Sequence, residues 1–144
     1  MDSNILVYAF DPSEPGKHAG AIDALNRLMA SGRGRISCQV LGEFFRVVIE
    51  KIRAPLSPSE GYQQVASLVR TWPIFPTTPL VVLEAARGVR DHRLPYWDAQ
   101  IWAAARLHQV PIVLSEDFAH GRTLDGVRFV NPFASTFDWA MLRL

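Results

Sequence analysis

The chain has 144 residues, of which 49% are hydrophobic, and its formal net charge at pH 7 is +1. This length suits one compact domain over residues 1–144, whose folding should bury about two-thirds of the unfolded surface. The sequence has no run of about 18 apolar residues and no basic flank of a signal peptide, so we expect a cytoplasmic protein with no membrane span. Arg outnumbers Lys by 13 to 2. This excess fits a polyanionic partner, although codon bias would also produce it.

The first two-thirds of the chain alternate apolar segments with helix-capping signals. Ile5–Phe10 is apolar throughout and fits either a buried strand or a short helix capped by Ser3 or Asn4. The elements predicted after it are a helix over Lys17–Ala30, a strand over 35–37, a helix from 38 to about 52, a helix from Pro58 to about Arg70, an edge strand over 73–76 and a helix from Pro79 to about Asp91. The single cysteine, Cys38, is expected to be a buried and inert thiol.

The last third of the chain predicts two further strands and one more helix. The helix covers Tyr96–Gln109 and the strands cover Ile112–Leu114 and Val127–Val130, with a polar loop over 120–126 between them. The tail over 133–144 is rich in apolar residues, so we expect it to pack on the body or on a partner. Short strands that alternate with helices predict an α/β sandwich with a mainly parallel sheet.

Two carboxylates mark functional ends of these elements. At 100° per residue, Asp98 falls in the middle of an apolar helical stripe, from which Gln100 lies well away. A first-turn acid that complements the helix dipole is the plainer interpretation, but an unpaired carboxylate on a buried face costs several kcal/mol. Asp117 follows the strand Ile112–Leu114, where open α/β sheets place their ligand crevice, although a turn residue is a simpler role for it.

Three more acids lie where such a fold would bring them to the same crevice, namely Asp2, Glu43 and Glu116. Glu43 also has a simpler interpretation, as a surface ion pair with Arg46. Carboxylates gathered in one crevice repel each other unless a hard cation such as Mg²⁺ or Mn²⁺ lies among them. Such a site activates water and holds a phosphodiester, so the pattern predicts hydrolysis of nucleic acid.

At the level of motifs, the chain resembles the PIN-domain ribonucleases, and specifically the toxins of VapBC-type toxin–antitoxin pairs. The resemblance rests on Asp2-Ser3-Asn4-Ile5-Leu6-Val7-Tyr8, on Glu43 in a helix, on Trp97-Asp98-Ala99 before three alanines, on Ser115-Glu116-Asp117-Phe118 and on the segment 126–133. It covers essentially the whole chain. It implies a PIN-like three-layer sandwich in which Ile5–Phe10 is the first helix, and a metal-dependent endoribonuclease that is restrained by an antitoxin and forms a homodimer.

The resemblance also implies roles for individual residues. Asp2, Glu43, Asp98 and Asp117 would form a catalytic acidic quartet, with Asp2, Asp98 and Asp117 as ligands of Mg²⁺ or Mn²⁺. Asn4, Ser115 and Glu116 would support them as neighbouring polar residues. Arg93 and Arg122 lie on loops near the expected crevice and are candidates for holding phosphate, and Trp97 is a candidate for stacking on an RNA base.

One feature departs from the family pattern. Family members usually carry several apolar residues before the first acid, and here only Met1 precedes Asp2. We therefore expect either a start codon further upstream or a severely shortened central strand. The second case leads to a different function, a catalytically impaired PIN-like module that only binds protein or RNA. A phosphomonoesterase with an aspartyl nucleophile is disfavoured, because no acid follows Asp2 by two residues.

Overall fold

The computed structural model describes residues 1–142, which form six α-helices, five short strands and a final 3₁₀ helix. The helices are α1 (Ser3–Phe10), α2 (Pro15–Ser31), α3 (Cys38–Glu50), α4 (Pro58–Thr71), α5 (Pro79–His92) and α6 (Tyr96–Leu107), and the 3₁₀ helix covers Trp139–Leu142. The strands are β1 (Ile36–Ser37), β2 (Ile74–Phe75), β3 (Ile112–Leu114), β4 (Thr123–Leu124) and β5 (Val127–Val130). The predicted α/β class with mainly parallel strands is confirmed.

Local capping chemistry sets most of the helix ends, as the sequence predicted. Ser57 and Glu60 form a complete capping box at the start of α4, because each side chain bonds the other residue's backbone N–H. Gly32 ends α2 in the left-handed conformation with φ of 64°. The last predicted helix is two residues shorter than expected, because Gln109 has φ of 56° and cannot continue it.

Residues 3–10 form a helix, which agrees with the family resemblance and excludes the alternative strand. The helix cap differs from both candidates. The Asp2 side chain, rather than Ser3 or Asn4, accepts the hydrogen bond from the Ser3 backbone N–H at 2.6 Å. Ile5 and Leu6 of α1 are fully buried, so the position of Asp2 is tied to the core through the helix that it caps.

The strands form two small sheets rather than one continuous sheet. Strand β1 pairs with β2 in parallel, while β3 pairs with β5 in parallel and β5 with β4 antiparallel. Strand β4 lies inside the segment 120–126, which was predicted to be a loop. The signal for it was the dipeptide Asp125-Gly126, since both residues have positive φ (45° and 86°) and Asp-Gly favours a tight hairpin turn.

Residues 1 and 2 lie between the two sheets and connect them. The Met1 amino group donates a hydrogen bond to the Arg35 carbonyl oxygen at 2.9 Å, and the Asp2 backbone N–H donates to the Leu114 carbonyl oxygen at 2.9 Å. Beside Met1, a cavity of about 500 Å³ continues between the two sheets, with Phe75 and Ile112 in its wall. Met1 and Asp2 thus bridge the two sheets, each through one backbone hydrogen bond.

Two side chains differ in burial from the sequence-based expectations. Gln100, which lies off the apolar stripe of α6, is only 5% exposed, because α6 is buried on nearly all sides by α5, β3 and β5. Cys38, which was expected to be buried, is exposed, because it is the first residue of α3. Within residues 1–142, no helix combines the length and the apolar composition that spanning a bilayer requires.

The apolar tail packs on the body of the protein, as predicted, as far as the described residues extend. Leu142 is 6% exposed and belongs to the core, and Phe137 and Trp139 pack against it with their rings edge to face at 4.8 Å. The guanidinium of Arg27 lies over the Trp139 ring at 4.5 Å. Residues 143–144 of the predicted tail lie outside the described residues.

Candidate active site

Asp2 is the most buried of the four proposed acids, and its exposed fraction is 3%. Ser115, which follows β3 and is itself fully buried, donates its hydroxyl hydrogen bond to Asp2 Oδ2 at 2.6 Å. Burial raises the pKa of Asp2 to about 6, against the opposing effect of the hydrogen bonds from Ser115 and Ser3, and the negative charge of Asp117 raises it further. A positive charge next to Asp2 would therefore stabilise the ionised form of its carboxyl group.

Asn4, in the first turn of α1, lies within contact of two of the acids, Asp2 and Asp117. Its side-chain Nδ2 donates to Asp117 Oδ2 at 3.1 Å and lies 3.5 Å from Asp2 Oδ2. Asn4 Oδ1 is buried and has no hydrogen-bond partner among the described residues. The backbone N–H of Asp117 donates to Ser115 Oγ at 3.1 Å, so the same serine orients both acids.

Glu43 reaches the cluster from the middle of α3. The Ser3 hydroxyl donates to Glu43 Oε2 at 3.0 Å, and Gln39 Nε2 donates to Glu43 Oε1 at 2.9 Å. Arg46 lies instead near Glu50, at 3.9 Å, so the simple ion pair with Glu43 considered from the sequence is not formed. Both oxygens of Glu43 are thus held by neutral donors, which leaves its charge available to a cation.

Asp98 lies in the first turn of α6, and among residues 1–142 its carboxylate forms no hydrogen bond or ion pair. Desolvation is the main cause that raises its pKa, followed by the negative charges of Asp117 and Glu43. These effects place Asp98 in the same electrostatic cluster as the other two acids, although the three are contributed by distant parts of the sequence. The helix dipole alone would lower this pKa, so repulsion and desolvation dominate here.

Glu116 points into a different environment from its neighbour Asp117. The Tyr8 hydroxyl and the Lys17 ammonium group both contact its carboxylate, the latter at 2.9 Å. Lys17 also donates to the Tyr8 hydroxyl at 2.8 Å. The charge of Glu116 is therefore already neutralised, and its role in the structure is to link the β3 end to α1 and α2.

The three candidate RNA-binding residues differ in their relation to the acids. Trp97 is 60% exposed and lies next to Asp98, and its carbonyl oxygen accepts a hydrogen bond from Gln39 Nε2 at 2.9 Å. Arg93 and Arg122 are exposed, and within residues 1–142 neither forms an ion pair with the four acids. Trp97 is thus linked to the acidic cluster through Gln39, which also bonds Glu43.

The donor set fits a hard divalent cation in its chemistry. It consists of carboxylate oxygens, with the unpartnered amide oxygen of Asn4 nearby, and Mg²⁺ and Mn²⁺ prefer such ligands. In these side-chain positions, residues 1–142 contain no group of three or more His, Cys, Asp or Glu side chains that could hold a metal ion.

Sequence reasoning did not identify Ser3 and Gln39 as parts of this site. Ser3 bonds both Asp2 and Glu43, and Gln39 bonds both Glu43 and the backbone of Trp97. The sequence held a weak signal for Gln39, which is four residues before Glu43 on one helix face. It held no signal for the link between Ser3 and Glu43, which are 40 residues apart.

Comparison with known protein families identifies the family of this chain. The family model of the PIN domain matches residues 1–123, which include all four acids and every residue that bonds them. No protein of known, curated function matches the chain. The matched region covers most of the 144 residues. The chain therefore belongs to the PIN-domain family.

Proposed function

We propose that this protein is an endoribonuclease that uses Mg²⁺ or Mn²⁺, and that it is the toxin of a toxin–antitoxin pair. Membership of the PIN-domain family supports a nuclease-type function, since PIN domains are generally nucleases. The observation that carries the proposal is that Ser3, Asn4 and Ser115 join Asp2, Glu43 and Asp117 by hydrogen bonds, and that the charges of Glu43 and Asp117 act on the nearby Asp98. Burial and mutual repulsion raise the pKa of Asp2 and of Asp98 within this cluster, which favours a bound cation.

Each side chain has a defined task in this proposal. Asp2, Asp98 and Asp117 would hold the cation, which supplies an activated water and neutralises charge on the phosphodiester. Ser115 orients Asp2, and Asn4 orients Asp117, so that these carboxylates are placed before the ion binds. Glu43, held by Ser3 and Gln39, would accept a hydrogen bond from the attacking water and align it.

The proposal is tested by cleavage of a mixed RNA pool with Mg²⁺, with Mn²⁺ and with EDTA. We expect wild-type protein to cut only with metal, and Asp98→Asn to lose orders of magnitude in rate, because the cation loses a ligand. Asp23→Asn is the matched control, since Asp23 is an acid on α2 that pairs with Arg27 at 3.0 Å away from the cluster. A folded wild-type protein that cuts no RNA with either metal, or an Asp98→Asn variant with normal activity, contradicts the proposal.

Two partners complete the proposal, a cognate antitoxin and a second copy of the chain. Helices α4 and α5 support this, because both expose large apolar side chains, among them Tyr62, Leu80 and Leu83 at 66–69% exposure. Exposed apolar residues of this size favour association with another protein surface. Coexpression with the neighbouring reading frame tests the antitoxin, which should copurify with the protein and abolish RNA cleavage.

A further inference from the structure

A second cavity, of about 580 Å³, opens directly beside the acidic cluster. Ser3 and Glu43 form the wall that the cavity shares with the cluster, and the other walls come from α3 and the first turn of α6. A substrate strand that places a phosphodiester at the acids would therefore place a neighbouring nucleotide in this cavity. Gln100, which also lines the cavity, has no role in the site described so far.

Two amide side chains that line the cavity, those of Gln39 and Gln100, have polar atoms without a hydrogen-bond partner. Gln100 lines the cavity and is 5% exposed, yet its Oε1 is buried without a hydrogen-bond partner and its Nε2 forms no hydrogen bond with residues 1–142. Gln39 Oε1, in the same cavity, is also buried without a partner. A buried amide left unpaired costs about 1–3 kcal/mol, so such groups are uncommon unless a ligand or water bonds them.

The cavity also has the other groups that a nucleotide requires. Trp97 lies on its rim with 60% of its surface exposed, and an indole face of this kind stacks on a base regardless of sequence. Arg46 lines the cavity with a guanidinium that is 3.9 Å from Glu50, a distance that leaves its N–H donors available to a phosphate. Stacking and phosphate contacts position a nucleotide, while the two amides can read its edge.

We propose that this cavity is a base-recognition subsite for the RNA strand, and that it selects a base with an exocyclic amino group beside an unprotonated ring nitrogen. Such an amino group carries two N–H donors, and two residues that line the cavity, Gln39 and Gln100, each have a buried Oε1 acceptor without a partner, which rotation of the side-chain amide would turn towards the base. The free Nε2 of Gln100 donates to the ring nitrogen beside the amino group, as Gln does when it binds adenine. Adenine and cytosine both present this donor–acceptor pair, whereas guanine presents a ring N–H beside its amino group on the Watson–Crick edge and uracil presents a single N–H. The proposal rests on the nuclease function only in assuming that RNA is the ligand.

The test measures binding by fluorescence anisotropy. The ligands are labelled 2′-O-methyl tetranucleotides of A, C or U, and the buffer contains EDTA so that no cleavage occurs. Two further tetramers carry purine riboside or pyrimidin-2-one riboside, which lack the amino groups of A and C. We expect wild type to bind the A or the C tetramer about tenfold more tightly than U, a ratio that corresponds to about 1.4 kcal/mol. Removal of the amino group from the preferred base should abolish this advantage.

Gln100→Met tests the residue itself, because Met has a similar volume and no amide. The variant should bind all tetramers equally, and its melting temperature should not fall, since it replaces an unpaired buried amide. Gln63→Met, a change at an exposed Gln of α4, is the matched control and should keep the wild-type preference. Arg46→Ala should lower the affinity for every tetramer by the same factor, as expected of a phosphate contact.

Two results would overturn the inference. One is equal binding of wild type to A, C and U, which would mean that water, and no base, forms hydrogen bonds with the two Gln side chains. The other is an unchanged base preference in Gln100→Met. The comparison of bases with and without amino groups uses the unmodified protein, so it remains decisive even if the variant does not fold. Base preference without RNA cleavage would support the subsite and contradict the nuclease, and cleavage without base preference would do the reverse.

Discussion

Asp98 shows how one side chain can be assigned to function or to local stability by experiment. It stands in the first turn of α6, where a carboxylate normally stabilises a helix through the dipole. Here burial and the charges of Asp117 and Glu43 raise its pKa, which means that the ionised form of Asp98 destabilises the folded protein. The two effects predict opposite signs when the charge is removed.

We predict that Asp98→Asn increases the free energy of unfolding of the metal-free protein, on the order of 1 kcal/mol or less after solvent screening. The variant keeps the volume of the side chain and removes one of the repelling charges. Urea unfolding in EDTA of wild type, Asp98→Asn and the control Asp23→Asn measures the effect. A loss of stability in Asp98→Asn would assign the residue to the helix dipole alone.

Asp2 gives a pH dependence of defined sign. Its pKa is raised from 3.8 to about 6 in the folded protein, so the folded state binds the proton more tightly than the unfolded state. The stability that this protonated form contributes is complete below about pH 4 and is lost as the pH rises to about 6. The corresponding loss is on the order of 3 kcal/mol in the absence of metal.

Asp2→Asn should therefore gain stability relative to wild type as the pH rises from 4 to 7, because Asn retains the cap but cannot ionise. Urea unfolding in EDTA at several pH values gives the difference between the two proteins, from which groups common to both cancel. A difference that stays constant over this range would mean that the carboxyl group of Asp2 titrates normally.

The contact between α5 and α6 determines where Asp98 lies, because α6 carries this acid at its first turn. Gly88 of α5 faces Trp102 of α6 so closely that an added Cβ would lie 2.8 Å from the indole ring. Trp102 is fully buried, and its N–H donates to the Leu124 carbonyl oxygen at 3.2 Å. The indole is therefore fixed on both sides, and the two helices have no room for a methyl group.

Gly88→Ala is predicted to destabilise the protein by about 1–3 kcal/mol, the usual cost of overpacking, despite the better helix propensity of Ala. Gly42→Ala is the control, since nothing lies within 4 Å of a Cβ added in the middle of α3. That variant should gain about 0.5–1 kcal/mol. Thermal melts of both variants decide this, and equal stabilisation by both would show that α5 and α6 separate easily.

The space between β1 and β3 gives a second prediction at the level of elements. Adjacent residues of a strand point their backbone groups to opposite sides, so Ile112 directs its N–H and C=O away from β5 and towards the cavity beside Met1. A strand placed there would hydrogen-bond both sheets and bury apolar side chains on both faces. We expect an extension of about four Val and Ile residues before Met1 to raise the melting temperature, at about 3.3 Å per residue along the cavity.

An extension of the same length made of Gly and Ser is the control, because it offers backbone groups but no apolar surface. Differential scanning calorimetry of the three forms provides the comparison. If the apolar extension melts at the temperature of the original chain, the cavity does not accept a strand and the two residues Met1 and Asp2 already complete the sheet contact.

The exposed apolar face of α5 gives a test of the proposed homodimer. Leu80 and Leu83 are three positions apart on one face of α5, and about two-thirds of each side chain is exposed. In the proposed homodimer this face is covered by the second copy. Leu83→Glu should therefore shift the molar mass in light scattering from dimer towards monomer, whereas Leu107→Glu, at an exposed Leu of α6, should not. A monomeric wild type would contradict the dimer.

The sequence predicted those features that depend on neighbours within a few residues. The starts of α3, α4 and α5 and the apolar strands β3 and β5 were all found where local chemistry predicted them. The four acids were selected by their positions at the ends of such elements and by motif resemblance. Their roles as metal ligands remain a proposal that the metal-dependent assays address.

Other features depended on contacts between residues far apart in the chain. Whether residues 5–10 form a strand or a helix was ambiguous locally, and packing of Ile5 and Leu6 in the core accompanies the helix. Gln100 is buried because α5 and the sheet cover α6 on several sides, which the periodicity of one helix cannot reveal. The links from Ser3 to Glu43 and from Asn4 to Asp117 span 40 and 113 residues. Such links require the chain to fold first, because hydrogen bonds between side chains depend on distances that only the packing of whole elements establishes.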